Sequence, residues 1–356
     1  MFLVQVEHSF DFLSDEYAEL FSHSHATAFQ NPLWLDRLYA RLVPHVGAQP
    51  LVVTVRSRAD GRLAMVLPLL RQRRGAVRVV GFADLRVSDY ASPVCNESTF
   101  ARILRDKTAC EEIRQALVPY DLIRVQKVID GSMALEHLLD VKSRTSMKMH
   151  TYAVPLSAPF SQWRADNISR SYRKELDKKG RRLRRKGEVR FECSADPEVI
   201  EGTFHTMREH RRSRFQGNDL LQKGAYFDFY VDIAIRGARA GLSRTYTLFL
   251  DGRPIAGVWG LLHNHEFLAI LKGFDLAGYK NCSIGALAFE QVARDCVERG
   301  DVSLDFTIGD EPYKRLFGAR PTGMWMITRS GSRLGSIANF VVDQLPWARR
   351  LAKRLP

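Results

Sequence analysis

The chain has 356 residues, 45% of them apolar and 10% aromatic, and its formal net charge is +13. This composition supports ordinary hydrophobic cores and excludes a disordered chain. The five cysteines form no CxxC pair and the ten histidines show no HExxH spacing, so the sequence predicts neither a disulfide framework nor a metal site. No run approaches the roughly 18 apolar residues of a membrane span, which favours a soluble cytoplasmic protein.

The first 150 residues are predicted to form one α/β unit. Its first strand, residues 2–7, contains polar side chains and no leading basic residue, which is unlike a signal peptide. Ser14 is expected to cap a short helix, and Asn31 and Pro32 to open a second one. Three strands, a helix and a fourth strand are expected at residues 50–56, 62–71, 76–82, 100–117 and 122–125.

A second unit is predicted from residue 151 to residue 332, and it opens with a basic helix. Residues 164–190 contain twelve basic and four acidic side chains. A narrow apolar stripe follows at helical spacing, formed by Ile168, Tyr172, Leu176 and Leu183. Three interpretations stay open: a solvated helix face, a surface for anionic substrates, or a nucleic-acid contact.

The rest of the second unit repeats the order of the first in a longer version. Strands are expected at residues 189–193, 243–250, 254–262, 266–274, 302–306 and 323–329, and longer helices at residues 197–212, 225–239 and 283–299. A strand and two helices thus precede three antiparallel strands, a helix and further strands. This order predicts an α/β fold of two tandem units, each a mostly antiparallel sheet flanked by helices.

Ionisable groups concentrate where the strand at residues 302–306 ends. Gly309 breaks the strand, and four ionisable side chains follow: Asp310, Glu311, Tyr313 and Lys314. Enzymes of the α/β class often keep their chemistry at such a strand end. The alternative is a short helix that Asp310 caps, Pro312 starts and Gly318 stops.

A basic tail is predicted from residue 333 to residue 356. From residue 329 onward, six basic side chains stand against Asp343, and apolar residues such as Phe340 and Trp347 lie among them. An amphipathic helix broken at Pro346 would either rest on an anionic membrane surface or pack on its own domain.

Four sequence blocks of the second unit carry a family resemblance. They are SYRKELDKKGRRLRRKG, GRPIAGVWGLLHNHEFLAILKGFD, YKNCSIGAL and LDFTIGDEPYKRLFGA. In these blocks the chain resembles the CelD/BcsL-type acetyltransferases, a branch of the GNAT superfamily, and more distantly the Fem-type peptidyltransferases. The first unit resembles the family more loosely, through FQNPLWLDRL and SDYASP. The resemblance implies tandem GNAT domains, a degenerate first one and a catalytic second one.

The resemblance implies transfer of an acyl group from acetyl-CoA or another acyl-CoA to an amine, such as that of a sugar or of a cell-envelope or exopolysaccharide precursor. In the family, backbone amides at the start of a helix bind the coenzyme A pyrophosphate. The matching residues are Lys280, Ser283 and Gly285, and Ser283 stands where the family pattern has glycine. The backbone around Lys272 and Gly273 is expected to bond the thioester carbonyl.

The resemblance also implies the catalytic groups. Tyr313 is expected to protonate the departing thiolate, and Asp310 or Glu311 to orient or deprotonate the acceptor. Acceptor contacts are expected at Asp89, Tyr90, Asp305 and Lys314. The alternative for Lys314 is an ion pair with Glu311. The turn containing His263 and His265 offers an alternative base.

Two other functions stay open. A Fem-like transferase would use aminoacyl-tRNA as donor. Binding of tRNA requires at least a positively charged surface, which the basic helix provides. A GNAT scaffold without catalysis would bind a partner or a membrane. The expected partners are therefore a small-molecule or glycan-precursor amine, a peripheral membrane contact at its cytoplasmic face through the tail, and tRNA in the Fem-like case alone.

Overall fold

Two compact units make up the structure, a computed structural model that describes residues 1–129, 134–141, 144–215 and 219–344. Unit 1 consists of Met1–Lys148 and the chain from Gly323 onward, and unit 2 consists of Met149–Thr322. The first division lies close to the boundary expected near residue 150. The last strand expected in the second unit instead falls in unit 1, and residues 345–356 of the expected tail lie outside the described residues.

The secondary structure alternates strands and helices along the chain. The strands are β1 Phe2–Glu7, β2 Gln49–Ser57, β3 Leu63–Arg74, β4 Val77–Phe82, β5 Leu122–Ile129, β6 Thr145–Pro155, β7 Val189–Ser194, β8 Ser243–Leu250, β9 Arg253–His263, β10 Glu266–Phe274, β11 Ser303–Ile308 and β12 Arg320–Ser330. The helices are α1 Asp15–Ser22, α2 Pro32–Arg37, α3 Val43–His45, α4 Glu97–Arg105, α5 Lys107–Ala116, α6 Leu135–Leu138, α7 Phe160–Asn167, α8 Arg170–Arg184, α9 Pro197–Phe215, α10 Gly224–Arg239, α11 Ile284–Glu298, α12 Pro312–Leu316 and α13 Arg333–Gln344.

Local capping sets several helix starts as the sequence predicts. Ser14 Oγ accepts a hydrogen bond from Tyr17 N–H at 3.4 Å, and Asn31 Oδ1 accepts one from Leu33 N–H at 2.9 Å. The single helix expected over residues 100–117 is two helices, because Asp106 leaves the helical backbone region and its side chain caps α5.

Unit 1 contains a sheet in the order β1-β2-β3-β4-β5-β12. Its neighbouring strands run antiparallel except β4 and β5, which run parallel. Unit 2 contains strands in the order β7-β8-β9-β10-β11-β6, and β10 and β11 form its parallel pair. The two units therefore follow one strand plan, which confirms the predicted α/β fold class of mostly antiparallel strands flanked by helices.

The sixth strand of each plan comes from an unexpected part of the chain. Strand β6 follows β5 in sequence, yet it pairs with β11. Strand β12 follows β11 in sequence, yet it pairs with β5. Strand β6 was not predicted. Strand β12 was expected in the second unit, because chain order alone favours that assignment.

Helices cover both faces of the sheet in unit 2. Gly273 of β10 lies against α9, since a Cβ there would stand 2.5 Å from Met207 Cα. The next residue, Phe274, points to the opposite face, where its ring contacts Gly285 of α11. Among the described helices, none combines the length and the apolar content needed to cross a bilayer.

Candidate active site

A gap opens between two parallel strands at one end of unit 2. The pairing of β10 with β11 ends at Leu268 and Asp305, whereas the pairing of β10 with β9 continues to Phe274. A register shift between Ala269 and Leu271 marks a β-bulge in β10. Strands β10 and β11 therefore diverge toward their carboxyl ends, which lie at the same end of the sheet because the strands are parallel.

The corresponding gap of unit 1, between β4 and β5, is closed by the loop that follows β4. Ala91 N–H donates to Lys127 O at 3.1 Å. The Lys127 ammonium donates to Ser88 O at 2.5 Å and lies 3.2 Å from Asp84 Oδ2. These contacts tie the loop to β5, so the loop occupies the position that is open in unit 2.

Asp89 and Tyr90, which were expected to contact an acceptor, belong to this closing loop. Tyr90 is 3% exposed, and its ring packs edge-on against Phe29 with 5.7 Å between the ring centroids. Burial of the ring in the core disfavours the expected acceptor contact of Tyr90, which stays a prediction. Asp89 is half-buried, and its contact with an acceptor stays a prediction.

A bulge at the end of β11 shapes the turn that carries the ionisable side chains. Thr307 has a φ of +56°, and its N–H donates to Asp305 Oδ1 at 2.7 Å. Thr151 Oγ1 of β6 donates to the same oxygen at 3.3 Å. These hydrogen bonds stabilise the bulge. Asp305 is 8% exposed, which disfavours its expected contact with an acceptor, and that contact stays a prediction. Lys127 has a φ of +62° at the matching place in β5.

Lys314 is 0% exposed, which is rare for a lysine. Its ammonium donates to Thr307 O and Gly309 O, both at 2.9 Å, and lies 3.1 Å from Glu311 Oε2. The expected pair with Glu311 is thus present. Binding of an anionic acceptor by Lys314 is disfavoured, because the buried ammonium holds the turn between β11 and α12, and it stays a prediction.

Glu311 is half-buried beside two ammonium groups. Burial alone would raise the pKa of its carboxyl, but the positive charges of Lys272 and Lys314 outweigh burial and lower that pKa. Glu311 is therefore held as an anion in the turn. A role in proton removal from an acceptor, which requires a basic carboxylate, is disfavoured by this direction.

Asp310 forms the centre of a polar cluster with residues of β6. His150 Nδ1 lies 3.0 Å from Asp310 Oδ1, and the Tyr152 hydroxyl donates to the same oxygen at 2.9 Å. Arg315 Nη2 donates to the Tyr152 oxygen at 3.0 Å. Hydrogen bonds from His150 and Tyr152 lower the pKa of Asp310. The side chains of His150 and Asp310 are 45% and 47% exposed, so a reactant can reach them.

Tyr313 lies on α12, next to the gap. Its ring stacks on Phe289 of α11 with 5.3 Å between the centroids, and it meets Phe306 edge-on at 5.9 Å. The Lys272 ammonium lies 5.5 Å from the centre of the Tyr313 ring. The hydroxyl is buried in this aromatic group. Tyr313 is therefore part of the aromatic packing beside the gap, and its role as the acid stays a prediction.

The loop before α11 keeps a glycine-like backbone although it lacks the family glycine. Ser283 has a φ of +50° and a ψ of 44°, the left-handed conformation that glycine adopts most easily. Among the described residues, the amides of Ser283, Ile284 and Gly285 have no hydrogen-bond acceptor, which suits an anion at this helix start. The exposed Lys280 lies in the same loop.

Two residues of β10, Lys272 and Gly273, were expected to contact the acyl donor, and they have different neighbours. The carbonyl of Lys272 accepts a hydrogen bond from Arg211 Nη1 at 2.9 Å, and Arg211 also pairs with Asp219. The Lys272 backbone therefore faces away from β9, toward the gap. Gly273 permits the close approach of Met207, so its lack of a side chain serves packing against α9.

The turn with His263 and His265 lies at the amino end of β10, opposite the carboxyl end at which the gap opens. This position disfavours the alternative base. His150 and Tyr152, which the sequence analysis missed, are the residues that stand beside Asp310. The period-2 alternation of β6 could have revealed that strand, but not its pairing with β11. Within the described residues, no group of three or more His, Cys, Asp or Glu side chains could hold a metal ion.

Comparison with known protein families gives one match. The family model described as an acetyltransferase (GNAT) domain matches residues 170–315, which is less than half of the chain. The match spans α8 to α12 and supports a transferase of the GNAT superfamily. The sequence comparison with curated proteins finds no significant match.

Solved structures with the same fold cover most of the chain. The crystal structure of FemX shares 12% identity and a TM-score of 0.61, covering 90% of this chain and 96% of that one. The C-terminal domain of a putative lysylphosphatidylglycerol synthetase from Agrobacterium fabrum shares 12% identity and a TM-score of 0.57, covering 91% and 94%. A conserved protein of unknown function from Bacteroides thetaiotaomicron shares 12% identity and a TM-score of 0.57, covering 91% and 99%. At these identities the similarity shows the fold alone.

Proposed function

We propose that unit 2 transfers an acyl group from an acyl-CoA, with acetyl-CoA as the simplest donor, to an amine. The divergence of β10 and β11 beside the start of α11 carries this proposal. A gap between strands next to unpaired helix amides suits an extended thioester arm with a phosphate end. The family match over residues 170–315 supports the same class of chemistry.

The donor would be held at two places. The amides of Ser283 and Gly285 and the ammonium of Lys280 would bind the pyrophosphate. The left-handed backbone of Ser283 fits this role, because it keeps the amides turned outward as a glycine would. The Lys272 backbone would contact the thioester from the side of β10 that faces the gap.

The nitrogen must lose two protons and the sulfur must gain one, because an amine is protonated at neutral pH and ends as an amide. We assign His150 as the base that accepts the first proton before the nitrogen attacks the thioester carbon, and Asp310 orients it through the 3.0 Å contact at Nδ1. As the carbon–sulfur bond breaks, the thiolate would take a proton from Tyr313, and the second proton of the nitrogen would return to the Tyr313 phenolate.

The acceptor class comes from the family resemblance. An amine of a sugar or of a cell-envelope or exopolysaccharide precursor fits the CelD/BcsL-type likeness, and a cytoplasmic enzyme with a peripheral membrane contact fits such an acceptor. The exposed positive charges of α8 favour an acceptor that carries phosphate groups.

A Fem-like transfer from aminoacyl-tRNA is the second candidate, favoured by the same positive charges of α8. Nucleic-acid binding through arginines would fall steeply with salt concentration. Replacing Arg181, Arg182, Arg184 and Arg185 by glutamine would then abolish tRNA binding. Binding that is unchanged in this variant would remove the second candidate. A scaffold without catalysis is the third possibility.

Calorimetric titration with acetyl-CoA and a transfer assay with a panel of amines test the first proposal. We expect saturable acetyl-CoA binding and thiol release that depends on the amine. Tyr313→Phe should keep donor binding and lower kcat by roughly 10²-fold or more. Unchanged turnover in this variant would remove Tyr313 as the acid, and failure to bind any acyl-CoA would favour the other two candidates.

A further inference from the structure

A cavity of about 790 Å³ lies in unit 2, lined by α7, α8, α11, β7 and β8. This volume is in the range of small-molecule sites. On α11 the cavity is lined by Leu287, Glu290 and Arg294, whereas Phe289 of the same helix packs on Tyr313 beside the gap. The cavity and the gap therefore lie on opposite faces of α11, and nothing in the proposed transfer uses the cavity.

Gly180 helps to open the cavity. It lies in the apolar stripe of α8 between Leu176 and Leu183, where a large side chain would be expected to fill the core. A glycine inside a helix costs about 1 kcal/mol relative to alanine. Packing does not require it, because a Cβ at this position would approach no atom closer than 3.6 Å. Gly180 therefore weakens the helix, and its missing side chain leaves the cavity open.

One part of the cavity wall is apolar, and the rest is polar and charged. The apolar side chains are Phe160, Leu176, Leu183, Val189, Phe191, Leu248 and Leu287. Arg164 is neutralised, since it lies 2.5 Å from Glu290 and 2.7 Å from Asp177. Arg184 and Arg294 also line the cavity, and neither is ion-paired to a carboxylate within the described residues.

The guanidinium groups of both arginines lie at the lining of the cavity. The Arg184 guanidinium comes within 3.6 Å of the point where a Cβ on Gly180 would stand. The Arg294 guanidinium lies over the ring of Phe160, 4.6 Å from its centroid. Guanidinium groups form charge-assisted, bidentate hydrogen bonds with carboxylates and phosphates.

We propose that this cavity binds a single-chain amphiphilic anion. Its hydrocarbon chain packs against the leucines of α8, β8 and α11, and its carboxylate or phosphate head bonds to Arg184 and Arg294. Burial of the chain contributes about 25 cal/mol per Å² of apolar surface. Free fatty acids and lysophospholipids share this chemistry, and they differ in the head group.

Calorimetric titration of the full chain with decanoate, decyl phosphate and decanol tests the proposal. We expect at least one of the two anions to bind and decanol to bind roughly tenfold more weakly or not at all. Preference for decanoate indicates a fatty acid, and preference for decyl phosphate indicates a phosphate head. Binding of neither anion, or equal binding of decanol, overturns the proposal.

Substitutions test whether the anion binds in this cavity. Gly180→Leu should fill the cavity and weaken anion binding by roughly tenfold or more, while Gly180→Ala should bind as the wild type and unfold at a higher temperature. The double variant Arg184→Gln and Arg294→Gln should lose the preference for the anions over decanol. Lys178→Gln, which removes an exposed charge of the same helix outside the cavity lining, is the matched control.

The control outcomes keep the proposal falsifiable. If a folded Gly180→Leu variant binds decanoate and decyl phosphate as the wild type does, the cavity is not the site. If Lys178→Gln weakens binding as much as the arginine pair does, the effect is that of helix charge, and the proposal fails. Parallel titration with acetyl-CoA separates this inference from the proposed transfer, because either binding can fail while the other persists.

Discussion

At the scale of single residues, the contact between His150 and Asp310 matters most for chemistry. A carboxylate that holds one ring nitrogen of a histidine fixes the tautomer and leaves the other nitrogen available for a proton. The pKa of Asp310 is lowered by its hydrogen bonds, so Asp310 is ionised at every pH above its ordinary value of about 3.9. A loss of activity between about pH 5 and 8 must therefore come from another group.

We predict that His150→Gln lowers kcat/KM for the amine by roughly 10²- to 10⁴-fold and leaves the acetyl-CoA dissociation constant unchanged. Steady-state kinetics measure the first constant, and calorimetric titration measures the second. His265→Gln, in the exposed turn, is the control, and a larger effect of His265→Gln would move the base to that turn.

Ser283 is the residue whose backbone tests the donor site. A non-glycine residue in the left-handed region costs roughly 1–2 kcal/mol, and a β-branched side chain costs more. Ser283→Gly should therefore fold normally and bind acetyl-CoA at least as tightly as the wild type. Ser283→Val should weaken binding by roughly tenfold or more, because the loop amides would turn away. Calorimetry on folded protein measures both constants, and equal binding by the valine variant would contradict this donor site.

At the scale of elements, Asp121 joins three parts of unit 1. It stands just before β5, and its carboxylate accepts hydrogen bonds from the backbone and guanidinium of Arg78 on β4 and from Ser332 before α13. The hydrogen bonds from Arg78 and Ser332 lower the pKa of Asp121 well below its ordinary value. The ionised carboxylate thus fixes the end of β5 to β4 and to the start of α13.

A carboxyl whose pKa is lower in the folded state stabilises the fold above its unfolded pKa, and this stabilisation is lost as the pH falls through the folded value. We predict that Asp121→Asn lowers the urea midpoint at pH 7. The difference from the wild type should shrink as the pH falls below about 4. Asp228→Asn, at an exposed position, should stay within about 0.5 kcal/mol of the wild type. A pH-independent difference for Asp121→Asn would show that its charge is not what stabilises the sheet.

At the scale of the whole molecule, two units share one strand plan and differ at one place. The gap beside β10 stays open in unit 2, whereas the loop after β4 closes the matching gap in unit 1 through Lys127 and Ala91. Duplication of the plan therefore does not duplicate the site.

We predict that each chain binds one molecule of acetyl-CoA. The stoichiometry from calorimetry should be one, and Ser283→Val should weaken this single binding event. A second event, retained in the valine variant, would mean that the closing loop of unit 1 opens for a ligand. Lys127→Met, which removes the ammonium contacts of that loop, tests whether an opened loop creates such a second event.

Much of the plan follows from local sequence. The period-2 strands and the caps at Ser14 and Asn31 act over a few residues, and the structure has them as predicted. The carboxylate cluster after β11 was also predicted. The partners of Asp310 were not, because they lie about 160 residues away on a strand whose pairing depends on the whole sheet. The burial of Lys314 was missed for a related reason: three nearby oxygens, set by the bulge in β11, offset its desolvation.

The late position of β12 in the sequence affects folding during synthesis. Strand β5 ends at Ile129, and the strand that pairs with it begins at Arg320. A ribosome therefore completes almost two hundred further residues before the N-terminal sheet receives its last strand. During that interval one edge of β5 stays unpaired and open to wrong partners. Nascent chains stalled before residue 320 should accordingly be sensitive to protease in the first half of the sequence, and release of the final segment should protect it.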